Sequence, residues 1–337
     1  MVSQTQYVVA KLMGTCLVSN LAQLLKISRH RPGASQLEVD RDAILMRAYG
    51  NGTDVLIDRD SEATSHGMLA ERGMAPPLLG RFRNGLLYGF IPGYVCKAED
   101  LAEEPVWRGI AQKLGEWHAR IPISGISTNA PAQNGINGCR NGHVHKNMSN
   151  EVGPEMARLA SRRPSPNVWS VMQDWINTLP TNTEEEMVQK QYLQKELERS
   201  FHELDTEDGI GEHGFVFAHR DLLCANVIQL RSPDAPAAKT GVQPVTFIDY
   251  EYATPAPAAF DIANHFAEWV GYDCDYNMIP TRTARRNFLR EYMVSYTKHT
   301  GQTFGKSAMN DLFREVDRWR GIPGLSSNSS SIIYALT

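Results

Sequence analysis

The chain has 337 residues, of which 42% are hydrophobic and 21% are charged, so disordered and collagen-like classes are excluded. Its 34 basic and 38 acidic side chains give a formal charge of −4, and no overall positive field exists to attract nucleic acid or an anionic membrane. At about 150 residues per domain, this length predicts two domains or two lobes.

The cysteines and the lengths of the apolar segments indicate in which cellular compartment the protein is expected. The five cysteines are an odd number without metal-ligand or paired spacing, so we expect reduced thiols in the cytoplasm. No stretch approaches the roughly 18 apolar residues that a membrane span needs, so we expect neither membrane insertion nor a secretory leader.

The first ninety residues predict a small sheet with one helix. Residues 43–49 and 54–57 are apolar runs joined by Gly-Asn-Gly, which is a strong hairpin signal. A helix follows over residues 61–72, and residues 78–82 and 86–91 predict a second hairpin.

Helical patterns dominate after residue 93. They predict helices over residues 106–121, 167–178, 184–204 and 260–270. Residues 122–150 have the Gly, Asn, Ser and Pro content of a loop. Short apolar runs predict strands at 215–218, 227–230 and 245–248. The chain is therefore expected to have an α+β fold.

One octapeptide carries the chemistry. Residues 219–226 match H-R-D-L-x-x-x-N, the loop with which kinases transfer the terminal phosphoryl group of ATP. In this pattern Asp221 orients the acceptor hydroxyl and takes its proton, and Asn226 turns back to coordinate Mg²⁺. Because Mg²⁺ takes hard oxygen ligands, a second carboxylate has to complete the site, and Asp249 at the end of a predicted strand is placed to do so.

The competing interpretation is structural. Asp221 would cap a turn, Asn226 would satisfy backbone groups, and Asp249 would simply end a strand. Upstream, Arg47 lies within a predicted strand and Glu62 on the following helix. A phosphate-holding cation and its carboxylate partner lie at such positions in a kinase-like small lobe, although each residue taken alone suits a solvated surface equally well.

Two later segments resemble the choline/ethanolamine kinase family. They read Val-Thr-Phe-Ile-Asp-Tyr-Glu-Tyr-Ala at residues 245–253 and Phe-Asp-Ile-Ala-Asn-His-Phe-Ala-Glu-Trp at residues 260–269. Tyr-Gly-Asn-Gly-Thr-Asp at residues 49–54 with Ile-Asp-Arg at 57–59 is similar to the ethanolamine kinase branch, in its fungal form. We expect the similarity to span residues 43–325.

The resemblance implies a protein-kinase-like fold of two lobes. Residues 1–93 would form a small, mainly β nucleotide-binding lobe, residues 94–325 a larger, mainly α catalytic and substrate lobe, and residues 326–337 a Ser-rich tail. The implied activity is ATP- and Mg²⁺-dependent phosphorylation of ethanolamine, the first step of the CDP-ethanolamine route to phosphatidylethanolamine. The implied partner is thus a small molecule, and a homodimer is left open.

Carried onto matching positions, the resemblance implies roles for individual residues. Asp221 is the catalytic aspartate, Asn226 and Asp249 hold Mg²⁺, and Arg47 contacts nucleotide phosphates with support from Glu62. The phosphate-covering loop corresponds to residues 14–20, so Ser19 and Asn20 are expected at the nucleotide, although this stretch has one glycine where the family has two.

The amine end of the substrate would meet three further residues. An ammonium is held by a carboxylate and aromatic faces, and Glu268, Tyr252 and Trp269 supply that combination. Tyr252 and Trp269 also suit the alternative role of core aromatics. His265 is expected to be a structural histidine bonded to neighbouring backbone, because no second His or Cys lies at helical spacing from it.

Three other functions are compatible with these residues. Choline kinase is the near competitor, and an aminoglycoside-type phosphotransferase would require a more acidic substrate surface. A pseudokinase-like binding subunit is suggested by the irregular phosphate loop and by residues 326–337, which lack the aromatic-rich helix expected there.

Overall fold

The computed structural model describes residues 7–12, 22–29, 31–49, 59–123, 166–205, 209–231 and 241–320. The chain forms two compact units. The first comprises Met1–Ile121, His219–Ala253 and His265–Met309, and the second Pro122–Ala218, Thr254–Asn264 and Asn310–Thr337. The boundary predicted at residue 93 stays a prediction, and the predicted tail and residues 124–150 lie outside the described residues.

A five-stranded antiparallel sheet opens the first unit. Its spatial order is β1-β2-β3-β5-β4. The strands are β1 Tyr7–Leu12, β2 Ala22–Arg29, β3 Ile44–Tyr49, β4 Leu78–Phe82 and β5 Gly85–Gly89. Helix α1 (Gln36–Arg41) lies between β2 and β3 in sequence, and α2 (Arg59–Glu71) follows β3. The predicted helix at 61–72 and the second predicted hairpin are confirmed.

The first predicted hairpin is wrong. Strand β3 pairs with β2 along one edge and with β5 along the other. A strand has only two hydrogen-bonding edges, and β2 and β5 occupy both edges of β3. Residues 54–57 lie outside the described residues. The Gly-Asn-Gly signal is local, whereas the pairing is decided by strands that are distant in sequence.

A second, three-stranded sheet supports the predicted catalytic loop, residues 219–226. Its order is β6-β8-β9, with β6 at Gly93–Val95, β8 at Val227–Leu230 and β9 at Val245–Phe247. Strands β8 and β9 are antiparallel. A turn of 3-10 helix, Cys224–Asn226, runs directly into β8. The end of the loop is thereby tied to the start of a strand.

Two long helices pack closely in the first unit. Helix α3 (Glu104–Arg120), predicted over residues 106–121, buries Ile110, Leu114 and Trp117 completely. It packs against α7 (Arg282–Thr300). Gly115 lets the two backbones approach, because a Cβ there would lie 2.5 Å from the carbonyl oxygen of Tyr292.

The second unit is mainly helical. It holds β7 (Val216–Ala218) paired with β10 (Thr254–Ala256), together with α4 (Val168–Thr178), α5 (Glu184–Leu204) and α8 (Ala308–Trp319). Residues 258–264 of helix α6 (Ala258–Ala267) also belong to this unit. Aromatic rings form the core of the second unit. Trp169 stacks on Trp319 with the ring centres 5.3 Å apart, and it meets the Phe201 ring edge-on. Among the described residues, no helix combines the length and apolar character needed to cross a bilayer.

The glycine contact between α3 and α7 leads to a stability prediction. Gly115→Ala should lower the free energy of unfolding by about 1–3 kcal/mol, because the new methyl group overlaps the Tyr292 carbonyl. Gly67→Ala in α2 is the matched control, since a Cβ there meets nothing within 4 Å, and it should raise stability by about 0.5–1 kcal/mol. Urea denaturation measures both. Equal effects would contradict the close helix packing.

Candidate active site

The predicted catalytic loop closes on itself. The Nδ2 group of Asn226 donates hydrogen bonds to the Asp221 carbonyl oxygen at 2.7 Å and to its Oδ2 atom at 3.0 Å. The spacing of five residues therefore brings the aspartate and the asparagine together. Asn226 is buried, with 7% of its surface exposed, so its carbonyl and amide are oriented by the protein.

Asp249 is held beside this loop by two bonds to the preceding residue. The Ile248 amide donates to the Asn226 carbonyl at 3.0 Å, and His219 Nε2 donates to the Ile248 carbonyl at 3.0 Å. Arg220 and Asp249 both adopt positive φ angles, of 67° and 65°. Such angles are costly for residues other than glycine and concentrate at functional sites.

His219 is a rigid anchor for both segments. Its ring is fully buried and lies 5.8 Å from Trp117, 6.0 Å from Phe247 and 6.1 Å from Tyr250. Close-packed aromatic neighbours prevent the imidazole from turning away from the Ile248 carbonyl. The first residue of the predicted motif thus has a structural function.

Arg47 and Glu62 meet at the other side of Asp249. Arg47, from the middle of β3, binds Asp249 Oδ1 at 2.6 Å and lies 3.3 Å from Glu62 Oε1 on α2. Burial works against the charge of Arg47, but the carboxylates of Asp249, Glu251 and Glu62 hold its pKa above the ordinary value. The cation predicted to hold phosphate is therefore in contact with the carboxylate predicted to hold metal.

Glu251 is a site residue that the sequence analysis missed. Its Oε2 atom lies 2.6 Å from Arg47 Nη2 and 3.6 Å from Arg59 Nη1. Burial and the nearby Asp249 raise the pKa of Glu251 to about 7. No pattern in the Asp-Tyr-Glu sequence predicts that Glu251 shares Arg47 with Asp249, because Asp249 has a positive φ and Glu251 lies in a turn rather than on an extended strand.

Arg59 completes this charged cluster. It lies 2.9 Å from Glu62 Oε2, and its guanidinium lies 4.0 Å from the centre of the Tyr49 ring. Arg59 thereby supports Glu62, the residue that also contacts Arg47. Buried ion pairs of this kind specify geometry more than they add stability.

Asp221 has an unusual electrostatic environment. Burial, followed by the charges of Asp249, Glu268 and Glu251, raises the pKa of Asp221 to about 8. These side chains are therefore close enough to interact, and they leave an excess of negative charge around the loop. A bound cation would offset that charge.

The residues present fit magnesium. Asp249 and Asn226 offer hard oxygen atoms next to the strained turn, and Mg²⁺ commonly takes only one or two carboxylates from a protein, with substrate phosphates and water completing its shell. Within the described ranges, no group of three or more His, Cys, Asp and Glu side chains is arranged around a metal position. A shared site completed by phosphate oxygens fits that observation.

Glu268 lies at the start of a 3-10 turn, Glu268–Val270, that continues α6. Burial raises the pKa of its carboxyl group, and its charge in turn contributes to the raised pKa of Asp221. No side chain or amide in the described part of the chain forms a hydrogen bond or ion pair with this carboxylate. A half-buried carboxylate without a partner calls for a cation.

The two predicted aromatic residues differ in their exposure. Trp269 is only 4% exposed, and its Nε1 group donates to His265 Nε2 at 3.3 Å. This packing favours the alternative of a core aromatic. Tyr252 is half-buried, and its carbonyl accepts a bond from Arg220 Nη1 at 3.4 Å. Ser19 and Asn20, predicted at the nucleotide, lie outside the described residues.

The raised pKa of Asp221 leads to a pH prediction. In the unfolded chain an aspartate titrates near pH ~3.9, whereas in the folded protein the pKa is about 8. The folded state therefore binds more protons between these values, and the stability of the metal-free protein should fall as the pH rises through them.

Thermal unfolding in chelator at several pH values tests this expectation. Asp221→Asn removes the titrating group, so its Tm at pH ~8 should exceed that of the wild type by about 3 °C or more. Asp273→Asn is the control, because Asp273 is exposed and the variant should follow the wild type. If the Tm of the wild type and the Tm of Asp221→Asn depended on pH in the same way, the pKa of Asp221 would not be raised in the folded protein.

The sequence of this chain is similar to those of known proteins. The family model described as Choline/ethanolamine kinase matches residues 17–335, a wider range than the predicted 43–325. Ethanolamine kinase 1 of Mus musculus is 30% identical over 289 residues, covering 82% of this chain and 66% of that protein. Ethanolamine kinase of Drosophila melanogaster is 28% identical over 276 residues, covering 79% of this chain and 45% of that protein. The chain thus spans about half to two thirds of the length of these curated relatives.

Solved structures show the same fold. The ethanolamine kinase of Plasmodium vivax superposes with a TM-score of 0.66 at 20% identity, covering 99% of this chain and 77% of that one. The choline kinase of Cryptosporidium parvum gives 0.56 at 17% identity, with 97% and 83% covered. The predicted fold class, a kinase-like α+β fold with a β-rich N-terminal part and a helical C-terminal part, is confirmed. The matched length of the family model shows that this chain belongs to the choline/ethanolamine kinase family.

Proposed function

We propose that this chain transfers the γ-phosphoryl group of ATP to the hydroxyl of ethanolamine and yields phosphoethanolamine. The observation that carries the proposal is the half-buried carboxylate of Glu268, which has no hydrogen-bond or ion-pair partner among the described residues and lies within electrostatic reach of Asp221. A phosphoryl-transfer loop with a free anion beside it is suited to an alcohol that also bears a positive charge. Curated relatives named ethanolamine kinase support the same substrate.

In this reaction the substrate oxygen attacks the γ-phosphorus in line with the bond to the β–γ bridging oxygen. The new P–O bond forms as the bridging bond breaks, and ADP leaves with the bonding electron pair. The carboxylate of Asp221 orients the hydroxyl and takes its proton. Mg²⁺ held by Asn226 and Asp249 would neutralise negative charge on the phosphates.

The nucleotide end of the site rests on Arg47. Its guanidinium carries a fixed positive charge and is supported by Glu62 and Glu251 at 3.3 and 2.6 Å. A buried arginine held in place by carboxylates is oriented for phosphate before the nucleotide arrives. We assign Ser19 and Asn20 to the phosphate-covering loop on the resemblance alone.

The amine end rests on Glu268. The primary ammonium of ethanolamine donates charge-assisted hydrogen bonds to a carboxylate, whereas the quaternary nitrogen of choline has no proton to donate. This difference favours ethanolamine over the alternative, choline. We assign Tyr252 to the wall of the amine pocket and Trp269, which is buried, to the layer behind Glu268.

The reaction is assigned to the cytoplasm, as the first step of the CDP-ethanolamine route. The thiols Cys96, Cys224 and Cys274 are free, which suits a reducing compartment.

Asp221→Asn tests the role of the catalytic loop. The amide cannot accept the hydroxyl proton, so kcat for phosphoethanolamine formation should fall by about 10²–10⁴-fold. The KM for ATP should change little, because Asp221 is not assigned to the nucleotide. Product formation is followed by phosphorus NMR. Wild-type turnover in this variant would exclude Asp221 as the proton acceptor.

Glu268→Gln tests the amine site. Loss of the carboxylate charge should raise the KM for ethanolamine by about tenfold or more, since a charge-assisted bond is worth about 1.5–3 kcal/mol. The KM for ATP is the internal control and should stay constant. The variant should lose less with choline than with ethanolamine. An unchanged KM for ethanolamine would remove Glu268 from the proposal.

The regulatory alternative makes a different prediction from the same assays. A pseudokinase-like subunit would bind ATP and Mg²⁺ without turning over ethanolamine or choline. Nucleotide binding by calorimetry together with the turnover assay therefore separates the two functions. Strong turnover of choline with little of ethanolamine would favour the choline kinase alternative.

A further inference from the structure

His265 links the two halves of the proposed site. It lies near the end of α6 and is completely buried. Its Nδ1 atom lies 2.8 Å from the carbonyl oxygen of Leu222, and its Nε2 atom lies 3.3 Å from Nε1 of Trp269. Leu222 follows Asp221 in the catalytic loop, and Trp269 follows Glu268.

These two contacts determine the tautomer of the imidazole. A carbonyl oxygen only accepts, so Nδ1 carries a proton and donates to Leu222. An indole N–H only donates, so Nε2 is unprotonated and accepts from Trp269. The ring is therefore neutral, with both nitrogen atoms used, and the expectation of a structural histidine bonded to backbone is confirmed.

The ring is also fixed by packing. Phe288 lies 5.5 Å away with the two planes tilted by 36°, and Phe266 lies 6.3 Å away. The 3-10 turn has backbone bonds of its own, such as Asp275 N to the Val270 carbonyl at 3.0 Å, but these stay within neighbouring sequence. The His265 bond instead reaches the catalytic loop, 43 residues earlier in the chain.

We propose that His265 is a positioning residue that sets the distance between Asp221 and Glu268 and thereby selects amino alcohols with two carbons between oxygen and nitrogen. This inference rests on the proposed function. The hydroxyl must reach Asp221 while the ammonium reaches Glu268, and ethanolamine has only two carbons with which to span them. A displacement of a fraction of an ångström at either end is therefore costly.

Two variants remove the same bond from opposite sides. In His265→Asn, the amide Nδ2 still donates to the Leu222 carbonyl, but the acceptor for Trp269 is lost. In Trp269→Phe, the ring volume largely remains, but the N–H donor is lost. Phe266→Leu is the matched control, because it disturbs packing beside both His265 and Trp269 but removes neither the donor nor the acceptor of the hydrogen-bonded link.

Steady-state kinetics with ethanolamine and 3-amino-1-propanol provide the readout. His265→Asn and Trp269→Phe should each lower kcat/KM for ethanolamine about fivefold to tenfold, as expected for one lost buried hydrogen bond. The ratio of kcat/KM for ethanolamine to kcat/KM for 3-amino-1-propanol should decrease at least threefold. The double variant should be no worse than either single variant, because both break one contact. Phe266→Leu should lower the Tm and leave the preference unchanged.

The outcomes separate this inference from the proposed function. If the wild type phosphorylates neither amino alcohol, both the proposed function and the positioning role of His265 are contradicted. If the wild type phosphorylates ethanolamine, but the preference is unchanged in both single variants or the two effects add in the double variant, only the positioning role of His265 falls. If His265→Asn does not fold, the substrate preference of Trp269→Phe alone tests the positioning role of His265: a decreased preference supports it and an unchanged preference contradicts it.

Discussion

The site depends on a pair of hydrogen bonds at Ile248. Its amide donates to the Asn226 carbonyl, and its own carbonyl accepts from the buried imidazole of His219. These bonds join the end of strand β9 to the predicted catalytic loop, so that Asp249 has to emerge beside Asp221. Two carboxylates of like charge do not approach each other spontaneously. Backbone bonds and the packed ring of His219 supply the free energy that holds them together.

The consequence of this arrangement is an imbalance of charge. Five carboxyl groups of the described residues belong to this site, those of Asp221, Asp249, Glu251, Glu62 and Glu268, and three of them, Asp249, Glu251 and Glu62, form ion pairs with the guanidinium groups of Arg47 and Arg59. Burial, followed by the charges of the neighbouring carboxylates, raises the pKa of Asp221 to about 8. A site of this kind binds cations well, and a magnesium ion and an ammonium group are the two cations that the proposed reaction brings to it.

The two ends of the cluster are held in position by different interactions. At one end, Arg47 is held by Asp249, Glu251 and Glu62, so the cation proposed to bind phosphate and the carboxylate proposed to bind metal are oriented by one network. At the other end, Glu268 has no such partner in the described part of the chain, and its turn is connected to the loop through Trp269 and His265. The first end is rigid through ion pairs and the second through a neutral imidazole.

The sequence by itself determined the local features of this protein. The five-residue spacing from Asp221 to Asn226, the helices at Glu104–Arg120 and Glu184–Leu204, and the second hairpin all follow from short-range patterns, because their hydrogen bonds join near neighbours. Only the tertiary structure decided which strands flank β3, that Glu251 shares Arg47 with Asp249, and that Trp269 is buried while the Glu268 carboxylate has no partner among the residues that the structure describes. These outcomes depend on edges, charges and surfaces supplied by residues far away in sequence, and a pattern of neighbouring residues carries no information about them.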